Sequence, residues 1–352
     1  MTTSAEATEE GLPLTDYSGR FQCARPEVWH QPTNQSALRR ALREAYARGQ
    51  PIRVRANGHS MNGQSLPRAG ECLIDMTACR HFRFDRPGTV TVGAGAAVWD
   101  VAALVRSNGF DLLVVNDGGQ AASSVGGFMA AGGFGESSGL HGGFWETVEQ
   151  VRLIGGDGRD HAFGPDDAVF PWLFGSMGQL GVAWEFDLKI APLAGAARPY
   201  PQGASGRVEA SQPDWERIVW FTVFAPLDRA TAARQDMIDI GVRHRHAWVG
   251  RWPYAYEIRL QRFNPPLVHP EQTSLGAVGI WGSEPEGGFD WEAMGAIERD
   301  VVALTTREPQ YRRYIQTELR SQALQDYFSP DVWSRFMAHK AALDRAGLLN
   351  PL

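Results

Sequence analysis

Ten of the 27 residues from Asp117 to Gly143 are glycine, and eight of the others are alanine or serine. No apolar residues recur in this stretch at helical or strand spacing, so it is predicted to be a long loop. Because glycine has no side chain, glycine at this density indicates backbone that lies very close to another group, either chain or ligand.

Composition excludes several classes of protein. The 34 basic and 40 acidic side chains give a net charge of −6, so neither nucleic acid nor an anionic membrane surface is an expected partner. No apolar run is long enough to cross a bilayer, and the acidic first ten residues do not resemble a secretion signal. A cytoplasmic protein is therefore predicted. Its three cysteines are an odd number in a large chain, which argues against a disulfide framework, and they lack the CxxC spacing of a zinc site.

The order of the predicted elements indicates an α+β protein. An amphipathic helix follows Thr33 and stops at Gly49, and a further helix is predicted over 98–107. Strands are predicted at 52–55, 73–76, 89–92, 148–153, 180–190, 218–224 and 254–263, and later helices at 230–240, at 291–304 and from Ser329-Pro330 onward.

The length of 352 residues is typical of about two domains. Composition changes after Pro192, where prolines punctuate a linker and aromatic-rich strands begin. The sequence thus predicts a polar leader at 1–24, a first domain at 25–192 completed by 327–352, and a smaller α+β domain at 193–326 inserted between the two parts.

The run from Val92 to Val98 half-matches the GxGxxG fingerprint of dinucleotide-binding folds. Its third position is Val98, where close helix packing needs a small residue, and the strands before it are predicted to pair with each other. A tight turn from strand to helix is therefore preferred to a nicotinamide site.

A second turn, Asn57-Gly58-His59-Ser60-Met61-Asn62-Gly63, follows the strand at 52–55 directly. Turns of glycine and small polar residues expose several backbone N–H groups in one concavity, which can hold a pyrophosphate. On spacing alone, His59 is either a ligand-binding residue or a histidine that hydrogen-bonds its own loop.

These segments resemble the vanillyl-alcohol oxidase/PCMH-type family of FAD-linked oxidoreductases, and most closely its cytokinin dehydrogenase-like covalent flavoproteins. The resemblance covers roughly two thirds of the chain in colinear order. It is carried by Arg25–Pro32, the Gly58-His59-Ser60 turn, Ile74–Thr77, Val92–Gly95 with Trp99, Asp117, Ser124–Gly127, Gly132–Gly135, Leu140–Gly142, Phe174–Val182, and Trp333, Phe336, Lys340, Asp344 and Leu348–Pro351.

The resemblance implies a two-part PCMH-type FAD-binding domain with a short inserted substrate (cap) domain. It also implies FAD bonded covalently to His59, and an imidazole nitrogen is chemically suited to that bond. No cysteine lies between Asp117 and Gly143, so a second covalent link is not expected. The implied cofactor-binding residues are Asn57, Gly58, His59, Ser60, Met61, Asn62, Gln64, Asp117, Ser124, Gly126, Gly127, Gly132, Gly135, Val182 and Asn350.

Two residues are candidates for the catalytic base. Asp117 lies close to where the resembled dehydrogenases carry a proton-accepting aspartate, and the alternative is a loop aspartate that caps backbone amides. His141 is either another base or a structural residue of the flavin loop.

Other residues are given structural interpretations. His244-Arg245-His246 lacks a third ligand group, so no metal site is predicted. Alternating aromatics between 220 and 263 either line a pocket for an aromatic or apolar substrate or form sheet core. The arginines at 251, 259, 312 and 313 either bind an acidic substrate or are ordinary residues of a sheet rim, and the second interpretation is preferred.

The implied function is an FAD-dependent oxidase or dehydrogenase. It would pass hydride from an alcohol or amine carbon of a small molecule to flavin N5, with O₂ or another electron acceptor reoxidising the flavin. A small cap implies a flavin face that is more open or smaller, or one that is closed by the second subunit of a homodimer. The alternatives are a flavin-scaffolded cyclase or isomerase without net redox, and a flavin-binding protein without catalysis.

Overall fold

The computed structural model describes residues 14–61, 63–116, 123–195, 198–211, 217–314 and 324–351. It mixes helices and sheets, as the sequence predicts. Within the described ranges, the strands form a hairpin and sheets of three, seven and four strands.

The three-stranded sheet is parallel and holds the predicted binding turn. Helix α1 (Gln35–Ala47) buries Leu38 and Leu42 against it, and the Asn34 side chain caps the helix by accepting a hydrogen bond from the N–H of Ala37. The predicted helix is confirmed. In spatial order the strands are β3 (Trp29–His30), β5 (Cys72–Asp75) and β4 (Ile52–Arg55).

The seven-stranded sheet is antiparallel and contains most of the first domain's core. Helix α2 (Val98–Ser107) follows one of its central strands and begins as predicted. The main path runs β10 (Asp160–Phe163), β9 (Val148–Ile154), β11 (Val182–Pro192), β7 (Thr89–Gly93), β6 (His81–Arg83) and β12 (Ser205–Arg207), with β8 (Phe110–Leu112) also paired to β11.

The four-stranded sheet lies within the region that the sequence predicts to be the inserted domain. Its order is β14 (Val249–Ile258), β15 (Leu275–Ser283), β13 (Ile218–Pro226) and β16 (Arg312–Arg313). Helices α7 (Ala230–Arg243) and α8 (Trp291–Arg307) bury one face of this sheet, because alternate side chains of a strand point to opposite faces. The other face is divided: Phe224 and Ala277 pack into the larger hydrophobic core, and other residues of this face line the cavity described below.

Strand β15 was not predicted from the sequence. Glycines at 276, 279 and 282 hide its strand character, and they are required by packing: a Cβ on Gly282 would lie 2.5 Å from the Trp248 ring, and one on Gly276 would lie 2.4 Å from the Ala230 Cβ. Its neighbour β14 is five residues earlier than the predicted strand at 254–263.

The glycine-rich stretch is not a continuous loop. Among its described residues, Val125–Ala131 forms helix α3, which the Ser124 hydroxyl caps by accepting from the Gly127 N–H, and Gly132 ends it in the left-handed conformation (φ 72°). The short helices α4 (Ser138–His141) and α5 (Phe144–Thr147) follow, and α6 (Phe170–Leu173) precedes β11. The prediction of an aperiodic loop was wrong there, because a seven-residue helix shows too few turns for its apolar spacing to be recognised.

Part of the predicted leader is ordered. Residues Leu14–Thr15 (β1) and Gln22–Cys23 (β2) form a hairpin that packs on the turn after β4. The Tyr17 N–H donates to the Ser60 carbonyl at 2.9 Å, and the Gly63 N–H donates to Asp16 Oδ2 at 3.2 Å. At the other predicted boundary, β12 lies beyond residue 193 yet pairs with β6 of the first domain's sheet.

The C-terminal segment returns to the three-stranded sheet. Helix α9 (Pro330–Leu343) starts at the predicted Ser329 cap, and beyond it Leu349 pairs in parallel with Ile52 of β4. The buried Arg53 guanidinium bonds both Glu71 and the Pro351 carbonyl, so it fixes the last residues beside β4. In the described part of the chain, no helix combines the length and the apolar character needed to span a membrane.

In acid, the free energy of unfolding should change with pH because of Glu185, a buried carboxylate of β11. Burial alone would raise the pKa of Glu185, but hydrogen bonds from His81 and Arg83 and the charge of Arg152 together lower it to about 2. Because its pKa is depressed on folding, the carboxylate stabilises the fold above about pH 4.5, and that contribution is lost as the pH falls toward about 2.

Replacing Glu185 with Gln should therefore lower the unfolding free energy by on the order of 2 kcal/mol at neutral pH, and by progressively less in acid. Urea unfolding of both proteins across this pH range measures the difference. Glu149→Gln is the control, because its ion pair with Arg86 is exposed and should contribute little. A difference that does not change with pH would contradict the assignment.

Candidate functional site

A cavity of about 600 Å³ lies between the turn after β4, the segments that lead into α3 and β11, and the face of the four-stranded sheet that points away from α7 and α8. That volume is within the usual range for small-molecule and cofactor sites. Of the residues that the sequence singles out for cofactor binding, those that line it are Asn57, Gly58, His59, Ser60, Met61, Gln64, Ser124, Gly126, Gly127, Val182 and Asn350.

The turn after β4 forms the first wall. Gly58 has φ +72°, a backbone conformation that favours glycine, and a Cβ there would lie 2.2 Å from the Arg55 guanidinium and would displace it. Arg55 donates to the Ser65 hydroxyl and to the Thr15 carbonyl, and burial lowers its pKa.

His59 lies in this wall between two aromatic rings. The centroid of its imidazole is 4.4 Å from that of Tyr17 and 5.7 Å from that of Trp220. One ring comes from the N-terminal hairpin and the other from β13, so the histidine is held where three parts of the chain meet.

The second wall is the loop that leads into α3. The Val125 N–H donates to the Ala96 carbonyl, and the Gly126 N–H donates to the Ala94 carbonyl. The GxGxxG-like turn therefore supports this loop, as expected for a tight strand-to-helix connection. Gly95 is required by packing, since a Cβ there would lie 1.8 Å from the Met76 carbonyl oxygen.

Asn350 completes the cavity from the C-terminal segment. Its φ is +43°, a conformation that asparagine tolerates better than most residues. Its side-chain oxygen accepts from the Val54 N–H and its amide donates to the Gly178 carbonyl, both at 2.9 Å. The last residues of the chain thus join two walls of the site.

The wall opposite these segments is aromatic and comes from the four-stranded sheet. Trp220, Tyr254 and Tyr256 line the cavity, so these three predicted aromatics face a pocket. Trp248 packs in the helix-side core instead, and Phe224 in the core of the first domain. Phe263 packs against that same core, and the Trp252 side chain lies outside the described residues.

The charge of the cavity suits a dinucleotide. Among the lining residues that the structure describes, none carries a carboxylate, whereas Arg55 and His59 are basic. Glycines in two walls let a ligand approach the backbone closely. An anionic pyrophosphate would meet no carboxylate among these described lining residues. The residues present therefore fit FAD.

Several predicted site residues lie elsewhere. Gly132 ends α3, and the Gly135 N–H donates to the Ser138 hydroxyl at the start of α4. His141 lies on α4, and none of these three predicted residues lines the cavity. Asn62 and Asp117 lie outside the described residues.

Sequence reasoning missed other lining residues, notably Tyr17 and Tyr314, and it named Met177 only within the resemblance of Phe174–Val182. Met177 is not glycine yet has φ +56°. Tyr17 carries no sequence signal, because only the docking of the hairpin brings it to the cavity. Trp99, named only for its resemblance, is 41% exposed at the rim and donates to the Asn116 carbonyl at 2.7 Å.

The remaining candidates have structural partners. His244 Nε2 is 2.9 Å from Asp300, which Arg243 also bonds. The adjacent arginines of β16 are buried and do not line the cavity, so they are not ordinary rim residues. Arg312 donates to the Tyr327 carbonyl, and Arg313 stacks 3.9 Å from the centroid of the Tyr327 ring.

Comparison with known proteins agrees with this geometry. Residues 26–163 match the model of the FAD binding domain, a range that includes the turn after β4 and the loop before α3. The chain is also similar to the uncharacterized oxidoreductase ORF5 in fasciation locus of Rhodococcoides fascians, at 29% identity over 179 residues. That similarity covers 50% of this chain and only 40% of the relative's length.

Proposed function

We propose that this protein is an FAD-dependent oxidoreductase that removes hydride from an alcohol or amine carbon of a small organic substrate. One observation carries the proposal: a single cavity joins the turn and loop of the FAD binding domain match to the aromatic wall of the inserted sheet. A cofactor on the first side would therefore face a substrate on the second.

In the proposed complex, the turn at 56–60, the loop at 123–127 and Asn350 hold the cofactor, and His59 is its covalent anchor. Tyr17 and Trp220 pack against the imidazole, and a nucleophile that is held in position by its neighbours would form the bond more readily. Bound FAD would supply the hydride acceptor, its N5 atom. Trp220, Trp281 and Tyr256 would orient the substrate and exclude water.

For the base, we propose Asp117. It directly follows Asn116, which lines the cavity, whereas His141 lies on α4 outside the lining. O₂ or another acceptor would reoxidise the reduced flavin. A homodimer that closes the flavin face and a cytoplasmic location are further parts of this proposal.

Anaerobic addition of substrates tests the reaction. A panel of primary alcohols and amines is added to the purified holoprotein, and the visible absorbance of the flavin is recorded. At least one compound should bleach it. A spectrum that stays oxidised with a compound that is nevertheless converted would favour a flavin-scaffolded cyclase or isomerase and would contradict the proposal.

Asp117→Asn should lower the rate of anaerobic flavin reduction by roughly 10²- to 10⁴-fold, because the variant cannot accept the substrate proton. Its flavin content should match that of the unmodified protein. Asp111→Asn, which removes an exposed carboxylate paired with Arg106, is the control and should reduce at the normal rate. Unchanged reduction in Asp117→Asn would exclude Asp117 as the base.

A further inference from the structure

We propose that Thr222, Tyr254 and Tyr314 form a hydrogen-bond donor subsite for an acceptor atom of an uncharged, flat substrate, such as a carbonyl oxygen or an aromatic ring nitrogen. This inference rests on the proposed function only in taking the cavity as the substrate site. It adds the chemical class of ligand and the residues that select it.

The subsite is built across three strands. Thr222 on β13 and Tyr254 on β14 both pair with Gly279 of the intervening β15. A Cβ on Gly279 would lie 2.5 Å from the Tyr254 hydroxyl, so the phenol crosses the sheet in the space that this glycine leaves. It thereby reaches the Thr222 hydroxyl and forms a hydrogen bond with it.

Counting donors shows that this pair has one O–H to spare. Each hydroxyl carries one proton, and the bond between them uses one of the two. Neither side chain has another hydrogen-bond partner among the residues that the structure describes. Tyr254 lines the cavity. When Thr222 donates to Tyr254, the Tyr254 hydroxyl keeps its own proton, which a ligand in the cavity can accept.

Tyr314 adds a second donor. Its ring is held edge-on by Phe134 and Phe224, each with a centroid distance of 5.7 Å, and it lines the same cavity. Its hydroxyl bonds no other described residue. Burial raises the pKa of both Tyr254 and Tyr314, so both phenols keep their protons and act as donors across the physiological range.

The surroundings define the rest of the ligand. The described side chains that this sheet contributes to the cavity carry no charge, and a charged ligand group would lose its hydration there without a partner. Trp220 and Trp281 pair directly across β13 and β15 and offer ring surface to a flat molecule. The wall is therefore suited to a neutral aromatic compound with an acceptor atom.

Calorimetric titration of the purified protein with quinoline and with naphthalene tests the subsite. The two probes share shape, but only quinoline carries an acceptor nitrogen, which is uncharged at neutral pH. Quinoline should bind about fivefold more tightly, the usual effect of one neutral hydrogen bond. Tyr254→Phe and Tyr314→Phe should each reduce this ratio, and the double variant should bring it close to one.

Tyr311→Phe is the matched control, because Tyr311 is a buried tyrosine of the helix-side core and does not line the cavity. Its ratio should equal that of the unmodified protein, and thermal unfolding checks that every variant is folded. Equal affinity for the two probes, no binding of either, or a ratio that survives in the double variant would overturn the proposal. Protein that lacks flavin but shows the expected ratios would contradict the proposed function alone.

Discussion

Replacing Lys340 with methionine should lower the free energy of unfolding by about 3–5 kcal/mol. The Lys340 ammonium donates to the Asp344 carboxylate at 3.0 Å and to the carbonyls of Leu349 and Gln179 at 3.1 and 3.2 Å. Burial lowers the pKa of Lys340, although Asp344 opposes that shift. Methionine would leave Asp344 buried without its cation, and a buried unpaired charge is strongly destabilising.

The same change should weaken FAD retention, because Lys340 joins α9 to the segments that carry Gly178 and Asn350 in the cavity wall. Leu349 precedes Asn350, and Gln179 follows Gly178, which Asn350 bonds. Loss of the ammonium should therefore weaken the hydrogen bond between Asn350 and Gly178, which joins two segments of the cavity wall. Guanidinium unfolding and flavin content after gel filtration measure the two effects.

Arg335→Met is the control for this prediction. Arg335 lies on the same helix, but it is exposed and so is its ion-pair partner Asp331. Its guanidinium also lies 5.1 Å from the centroid of the Trp172 ring, so its removal should change stability by about 1 kcal/mol at most. If Lys340→Met were as stable as this control, the C-terminal anchor would not hold the site as described.

Two glycine substitutions should have opposite effects. In Gly95→Ala, the new Cβ would lie 1.8 Å from the Met76 carbonyl oxygen, and backbone must move to relieve that overlap. We expect a loss of roughly 3 kcal/mol or more, together with loss of bound flavin. The flavin is lost because Ala94, next to Gly95, holds Gly126 in the cavity wall.

Gly295→Ala should instead stabilise the protein by about 0.5–1 kcal/mol. Gly295 lies inside helix α8, where alanine is favoured, and the new Cβ would meet only the flexible end of Arg299 at 3.5 Å. Urea unfolding of both variants gives the comparison. A Gly95→Ala protein as stable as Gly295→Ala would contradict the close packing of the turn after β7.

The sequence predicts those helices and turns that are determined by residues close to one another in the chain. Helix α1 has its cap, its apolar spacing and its terminating Gly49 within 17 residues, and α9 has Ser329-Pro330 at its start. The turn containing His59 was recognised because glycine and polar residues follow a strand directly. Each of these features depends on neighbours in the chain.

Features with distant causes were missed. The glycines of β15 make room for Trp248, Tyr254 and Ala230, none of which is adjacent in sequence, so the strand was not recognised. Likewise, the hairpin at 14–23 is polar and short, and only its docking on Ser60 and Gly63 orders it. Tertiary contacts override local preference in both cases.

The candidate site shows the same division. Asn350 was assigned by resemblance, and the structure explains its position through bonds to Val54 and Gly178. Tyr314 and the Thr222 and Tyr254 pair could not be assigned, since their relation exists only after the strands of the inserted sheet are in register.

The most direct test of the central claim, FAD held in this cavity and bonded to His59, is acid precipitation of the purified protein followed by absorbance spectra of pellet and supernatant. The account predicts a yellow pellet, and a colourless pellet for His59→Ala with any flavin released to the supernatant. A white pellet from the unmodified protein, with flavin in the supernatant, would contradict the covalent bond. Protein without flavin in either fraction would contradict FAD binding itself.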